Sequence, residues 1–268
     1  MLFLPEWTIL RTPVIGMLHL PPLPGSPRYG GGLEAITRHV LRDAEALATG
    51  GVHGLMLENF GDVPFYPGRV PAHVVAHMTA IACQVRQRFA LPLGINVLRN
   101  DGQSALAVAH AAGAQFIRVN VLCSARVADQ GVIGAIAHDL MRDRTMLGAG
   151  VKVLADVDVK HSAPLAARAL ADEAADTLLR GLADGLIVSG SGTGKGTDPA
   201  HVEAAQSAAR AAGDFPVFVG SGVTADTIGA FLPHADGFIV GTAFKPNGDP
   251  QQPIDPDRVK SLMAALRC

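Results

Sequence analysis

The sequence predicts a single (β/α)8 barrel of the α/β class, spanning residues 1–268 as one domain. Eight short runs rich in Val, Ile and Leu recur along the chain, each followed by a polar or glycine-rich turn and an amphipathic stretch. The runs are continuous rather than alternating, as expected of parallel strands covered on both faces. Eight such units close more naturally into a barrel than into an open sheet, and no linker or low-complexity tract divides them.

The strands are expected at 13–18, 54–57, 93–97, 116–119, 151–155, 185–188, 217–219 and 237–240. The helices are expected at 33–49, 71–89, 102–112, 131–147, 164–181, 198–212, 224–232 and 255–266. Pro92 and Pro216 stand at strand entries, where a missing N–H costs little. Asp198-Pro199 and Asp255-Pro256 read as N-caps followed by proline in the first turn. Gly50-Gly51, Gly113 and Gly213 fall where helices end, the usual place for a left-handed cap.

Composition narrows the class further. The chain is 49% hydrophobic and 17% charged, with a mean hydropathy of +0.27. Its net charge is −2, with a pI near 6.5, which speaks against a general nucleic-acid binder. No uncharged apolar run approaches the roughly 18–20 residues of a spanning helix. Residues 1–10 contain Glu6 and lack the basic segment and cleavage site of a secretory signal. A soluble cytoplasmic protein is expected, with no integral membrane segment. Cys83, Cys123 and Cys268 have no metal-ligand spacing and read as reduced thiols. Ala-rich helical faces at 164–181 and 200–212 are candidate surfaces for a homo-oligomer.

Chemistry in such a barrel gathers at the C-terminal ends of the strands. Those ends carry His19, Glu58 and Asn59, Asn96 and Arg99, Arg118 and Asn120, then Asp156, Asp158, Lys160 and His161. The later strands add Ser189 and Gly190, Gly220-Ser221-Gly222, and Gly241-Thr242. A polar ring above all eight strands points to a small-molecule pocket. Glycine turns after the last two strands let backbone N–H groups approach an anion, as in many phosphate-binding barrels, although tight turns alone would also need glycine. Thr224 reads as the start of the helix that follows.

Residues 189–197 (SGSGTGKGT) miss the P-loop pattern, because Ser189 takes the place of its first glycine and Gly196 follows the lysine. The segment reads instead as a mobile glycine-rich loop in which Lys195 either meets an anionic ligand or is solvated. Alternation along strand five would put Asp156, Asp158 and Lys160 on one side. That cluster suits acid–base or Schiff-base chemistry, and a salt bridge at the rim equally. Asp156, Asp158 and Glu58 together suggest a divalent cation such as Mg2+, with no strict metal motif and no cofactor firmly implied. His19 suits a proton shuttle or a phosphate contact, or a simple capping role.

Several long motifs resemble one family. They are 16–29 (GMLHLPPLPGSPRY), 58–65 (ENFGDVPF), 94–101 (GINVLRND), 116–121 (FIRVNV), 129–131 (DQG), 155–161 (ADVDVKH), 220–223 (GSGV) and 237–245 (GFIVGTAFK). Together they resemble the BtpA family over about residues 11–266. The resemblance implies a TIM barrel grouped with ribulose-phosphate-binding barrels. It places Glu58, Asn59, Asn96, Arg99, Arg118, Asn120, Asp156, Lys160 and His161 in the family signature, and Asp158 at a variable position. The resemblance supplies no catalytic residue, and together with the residue chemistry above it leaves two functions. The first is an enzyme of lyase or isomerase type acting on a small phosphorylated, sugar-phosphate-like ligand. There Lys160, His161, Asp156, Glu58 and His19 would carry the chemistry. Asn59, Asn96, Arg99, Arg118, Asn120, Ser189 and Gly190 would bind substrate, and Gly220, Ser221, Gly222, Gly241 and Thr242 the phosphate. The alternative is a non-catalytic photosystem I biogenesis factor associated peripherally with a membrane complex.

Overall fold

The computed structural model describes residues 3–190 and 196–266. All eight expected strands are present: β1 (Val14–His19), β2 (Gly54–Glu58), β3 (Leu93–Asn96), β4 (Phe116–Val119), β7 (Lys152–Val157), β9 (Gly185–Val188), β10 (Val217–Val219) and β11 (Gly237–Val240). They form a closed parallel barrel in the order β1-β2-β3-β4-β7-β9-β10-β11, with β11 returning to β1. Between the strands run α1 (Leu33–Gly50), α2 (Ala72–Arg88), α3 (Gly102–Ala112), α4 (Ala137–Met146), α5 (Leu170–Ala175), α6 (Pro199–Gly213), α7 (Ile228–Phe231) and α8 (Pro256–Ala265).

Alternation sorts each strand into two cores. Outward residues such as Leu18, Leu57, Ile95, Val119, Val153, Val188 and Val240 pack with the helices. Inward residues Ile15, Met17, Met56, Phe116, Leu154, Ile187, Phe218 and Ile239 fill the barrel, joined by Phe3, Leu4 and Trp7 from the N-terminal segment. Phe3 and Trp7 reach Phe116 and Phe218 with ring centroids 5.6–6.2 Å apart and close the barrel floor. The Trp7 Nε1–H donates to the His53 carbonyl at 2.8 Å, so the indole is buried with its polar atom satisfied.

The punctuation acts largely as expected. Asp198 and Asp255 accept from the N–H groups of Ala200 and Asp257 at 2.9 Å each. The Pro92 and Pro216 carbonyls accept from Leu55 and Leu186 at the strand entries. Gly51 (φ 92°) and Gly113 (φ 68°) are left-handed caps. At the end of α6 that role passes from Gly213 to Asp214 (φ 59°).

Three helices differ from expectation. Residues 131–147 divide into strand β6 (Gly131–Gly134) and the shorter α4, because Val132 and Ile133 sit between glycines and pair with β5 (Ala125–Ala128). Residues 164–181 begin as the end of β8 (Ser162–Pro164), which pairs with the other edge of β5. Helix proper starts there only at Leu170 and widens to a π turn over Asp176–Arg180, so the long oligomerising face expected at 164–181 is absent. The last short helix shrinks to α7 because Thr224 and Thr227 exchange side-chain-to-backbone bonds in a turn ahead of it.

The resulting antiparallel sheet β6-β5-β8 stands on the C-terminal side of the barrel. Buried Arg126 ties it down, donating to Ser162 Oγ at 2.7 Å and pairing with Glu173 and Asp158. The β5–β6 turn carries Asp129 and Gln130 to the barrel mouth. Among the described residues, no helix is long and apolar enough to cross a membrane.

Candidate active site at the barrel mouth

The inward register that fills the barrel with apolar side chains ends in polar or very small residues. Met17 gives way to His19, Met56 to Glu58, Gly94 to Asn96, Phe116 to Arg118, and Leu154 to Asp156. On the opposite side Ile187 is followed by Ser189, Phe218 by Gly220, and Ile239 by Gly241. Large polar groups therefore line one half of the mouth and small ones leave room in the other. At Gly220 a Cβ would lie 2.6 Å from Ile187 Cγ2 and 3.0 Å from Ser189 Oγ, so the backbone can lie there only as glycine. Gly222 is left-handed, with φ 69°.

Arg118 and Asp156 form the centre of the polar half. The guanidinium donates twice, Nε to Oδ2 at 2.9 Å and Nη2 to Oδ1 at 2.8 Å, with both residues buried. Asn120 Nδ2 also donates to Asp156 Oδ2 at 2.9 Å, and Ser189 Oγ to Oδ1 at 3.3 Å. Asn96 lies beneath, donating to the Arg118 carbonyl at 3.0 Å. Asp156 thus has both carboxylate oxygens engaged by hydrogen bonds within the chain.

Glu58, Arg118 and Lys160 line two adjoining cavities. The inner one is bounded by Met17, His19, Gly220, Ser221, Gly222, Gly241 and Thr242, so both glycine turns face the same space as Glu58 and Lys160. The outer one, about 350 Å3, adds Phe60, Val63, Phe65, Leu98, Arg99, Asn120, Asp129, Gln130 and His161. Burial raises the pKa of Glu58 and lowers that of Lys160, which Arg118 lowers further. The two shifts run toward each other, the direction expected of a carboxyl and an amine that take part in acid–base chemistry. Burial, and then Lys245 and Lys160, push His19 well below the ordinary histidine value. The neutral ring stacks on Phe60 at 4.6 Å, with Nε2 3.9 Å from Glu58 Oε1 and Nδ1 buried without a partner.

Other predicted residues are placed differently. Strand β7 ends at Val157, and Asp158 turns left-handed (φ 52°) to pair with Arg126. The alternation that would align Asp156, Asp158 and Lys160 is therefore broken, and Lys160 reaches the mouth from the loop. With Asp158 turned away and Asp156 engaged, the residues do not fit the divalent cation. Among the described residues no group of three His, Cys, Asp or Glu could hold a metal ion. Asn59 lines neither cavity: its Oδ1 accepts from the Leu98 N–H at 2.7 Å and its Nδ2 donates to Asp62 at 3.1 Å. It holds the β3 loop, and Asp62 in turn holds Leu23. His161 is exposed at the outer rim (φ 57°). Gly190 is buried at the edge of the described residues, while the centre of the glycine-rich loop, Lys195 included, lies outside them, as does Cys268.

The local sequence pattern did not single out Phe60, Phe65 and Gln130 as lining residues. It equally hid fully buried Lys245, whose Nζ donates to the Pro250 carbonyl at 2.8 Å and lies 3.9 Å from Asp43. Their places depend on chain segments distant in sequence. The one available signal was that Phe60, Phe65 and Gln130 fall inside polar, glycine-punctuated motifs after strands, where chemistry gathers.

Among solved structures, the fold is similar to N-(5'-phosphoribosyl)anthranilate isomerase from Pyrococcus furiosus, with TM-score 0.57 and 14% identity over 96% of this chain and 98% of that one. It is also similar to KGPDC from Streptococcus mutans, with TM-score 0.58 and 12% identity over 96% and 97% of the two chains. At that identity the likeness is one of fold. Sequence relatives are much nearer. The photosystem I biogenesis protein BtpA of Synechocystis is 47% identical over 256 residues, 96% of this chain and 88% of the relative. An uncharacterized protein of Pyrococcus furiosus is 42% identical over 253 residues, 94% of each chain. The family model described as the BtpA family matches residues 10–267, and the chain belongs to that family.

Proposed function

We propose that the barrel mouth is the active site of an enzyme acting on a small phosphorylated metabolite, with lyase or isomerase chemistry of the proton-transfer kind. The observation that carries this reading is the single inner cavity in which two glycine turns face Glu58 and Lys160. Backbone N–H groups around Gly220, Ser221, Gly222, Gly241 and Thr242 suit a phosphate, since close approach and oriented amides stabilise an anion without buried side-chain charge. The fold neighbours support it: the first is named for a phosphoribosyl substrate.

In this reading Glu58 takes the proton from carbon and Lys160 protonates or polarises the adjacent oxygen. Neutral His19 stands beside Glu58, its Nε2 3.9 Å from Oε1. Arg118 holds a second substrate oxygen while Asp156, Asn120 and Ser189 fix its plane. His161, at the outer rim, is placed to meet the end of the substrate far from the phosphate. Solvent-exchange NMR tests the chemistry: in D2O, a bound sugar phosphate with a hydrogen beside its carbonyl should lose that proton signal with the wild type and not with Glu58→Gln. Retained exchange in Glu58→Gln would remove Glu58 from the role.

The second reading, a photosystem I biogenesis factor, is favoured by the name of the Synechocystis relative. It makes Glu58 and Lys160 dispensable. Complementation of a strain lacking that relative by the Glu58→Gln variant of this chain would favour it over the enzyme.

A further inference from the structure

A sugar phosphate alone leaves the outer cavity unexplained. One wall consists of Phe60, Val63, Phe65 and Leu98, whose side chains neither donate nor accept hydrogen bonds. Sugar hydroxyls laid against them would give up water without gaining a hydrogen bond. The same cavity is lined by Arg99, which is 4% exposed. Its Nη2 donates to the Lys160 carbonyl, its Nε has no partner, and among the described residues it makes no ion pair. Arg118, by contrast, is neutralised by Asp156. Glu58, Asp129 and Asp156 act on Arg99 from beyond ion-pair distance, so its buried Nε is left for an acceptor that a ligand supplies. Gln130 Oε1 is also buried without a partner at this cavity.

We propose that the outer cavity is a second subsite for a planar ring bearing a carboxylate, so that the ligand is a phosphorylated sugar joined to such a ring. The ring faces pack against the apolar wall, the carboxylate meets the free edge of Arg99, and Gln130 Oε1 accepts from a ring N–H where the ring has one, as that of orotate does. For the phosphate end the inference rests on the cradle reading above. The geometry also places the reacting bond. Glu58, Arg118 and Lys160 line both cavities, so the junction of sugar and ring lies beside the two groups suited to proton transfer.

Calorimetric titration of the full chain tests this with nicotinate mononucleotide, orotidine 5'-monophosphate, nicotinamide mononucleotide, ribose 5-phosphate and free nicotinate. The carboxylate-bearing nucleotides should bind at least about tenfold more tightly than ribose 5-phosphate and than nicotinamide mononucleotide. Arg99→Met should erase that advantage and Phe65→Ala should reduce it, with ribose 5-phosphate affinity unchanged in both. Phe65 is only part-buried, so its variant keeps the test valid should Arg99→Met fold poorly. Equal affinities for ribose 5-phosphate and the carboxylate nucleotides would overturn the ring subsite and leave the phosphate cradle standing. Arg99-dependent binding of nicotinate without any binding of ribose 5-phosphate would do the reverse. No binding by any of the five would overturn both.

Discussion

Arg118 and Asp156 meet in a two-bond pair on neighbouring strands β4 and β7, with each side chain at most 3% exposed. Such a pair adds little over an apolar one, but breaking it strands a buried charge. Asp156→Asn should therefore destabilise the protein by about 3–5 kcal/mol. Arg118→Met combined with Asp156→Asn should cost less than the sum of the single changes. Urea unfolding of the four proteins checks both statements, and additive losses would show that the two side chains act independently.

Glu58 links stability to function through pH. Burial raises its pKa, so above the ordinary carboxyl value near 4.5 the unfolded chain releases a proton that the folded chain retains. The wild type loses stability through this group as pH rises from there toward the raised value. Glu58→Gln should consequently raise Tm at neutral pH, with the advantage shrinking to nothing in acid. Thermal scans across pH read this directly, and an advantage that grows toward acid would reverse the sign of the shift.

Gly94 and Phe116 are register partners on β3 and β4, and a Cβ on Gly94 would lie 2.2 Å from Phe116 Cε2. The missing side chain makes space for the ring inside the barrel. Gly94→Ala should cost about 1–3 kcal/mol by overpacking, and Phe116→Leu in that background should restore part of the loss. Denaturant midpoints with unchanged slopes would establish the effect as one of packing.

Trp7 closes the barrel floor at the end opposite the mouth. Trp7→Ala should lower stability by about 3–5 kcal/mol and leave ligand affinity unchanged. Tm together with a binding titration separates the two, and a coupled loss of affinity would mean that floor and mouth are not independent.

How much of this was legible in the sequence follows from the range of the forces involved. Parallel strands buried on both faces write themselves as continuous apolar runs, so the eight barrel strands and the aspartate N-caps could be read locally. The sheet β6-β5-β8 was missed because each strand is three or four residues long and is held by partners elsewhere in the chain, Arg126 above all. Lys160 lines the mouth cavities from the loop, because the strand alternation that would have aligned it with Asp156 stops at left-handed Asp158. Asn59 looked like a lining group because it is polar and follows a strand, whereas both ends of its amide serve the chain itself. Phe3 and Trp7 carried no local pattern at all, since their meaning is the hole they fill.

The central claim, that the glycine turns at the mouth hold a phosphate, is most directly tested by calorimetric titration with a panel of sugar phosphates and their unphosphorylated forms. Gly222→Ala serves as the comparison, because a side chain at φ 69° costs only about 1–2 kcal/mol while it displaces the cradle backbone. The account predicts saturable binding of at least one sugar phosphate, displaced by inorganic phosphate, absent for the free sugar and weakened about tenfold or more in the folded variant, the equivalent of about 1.4 kcal/mol. Binding of the free sugar as tight as that of its phosphate, or phosphate binding untouched by Gly222→Ala, would contradict it.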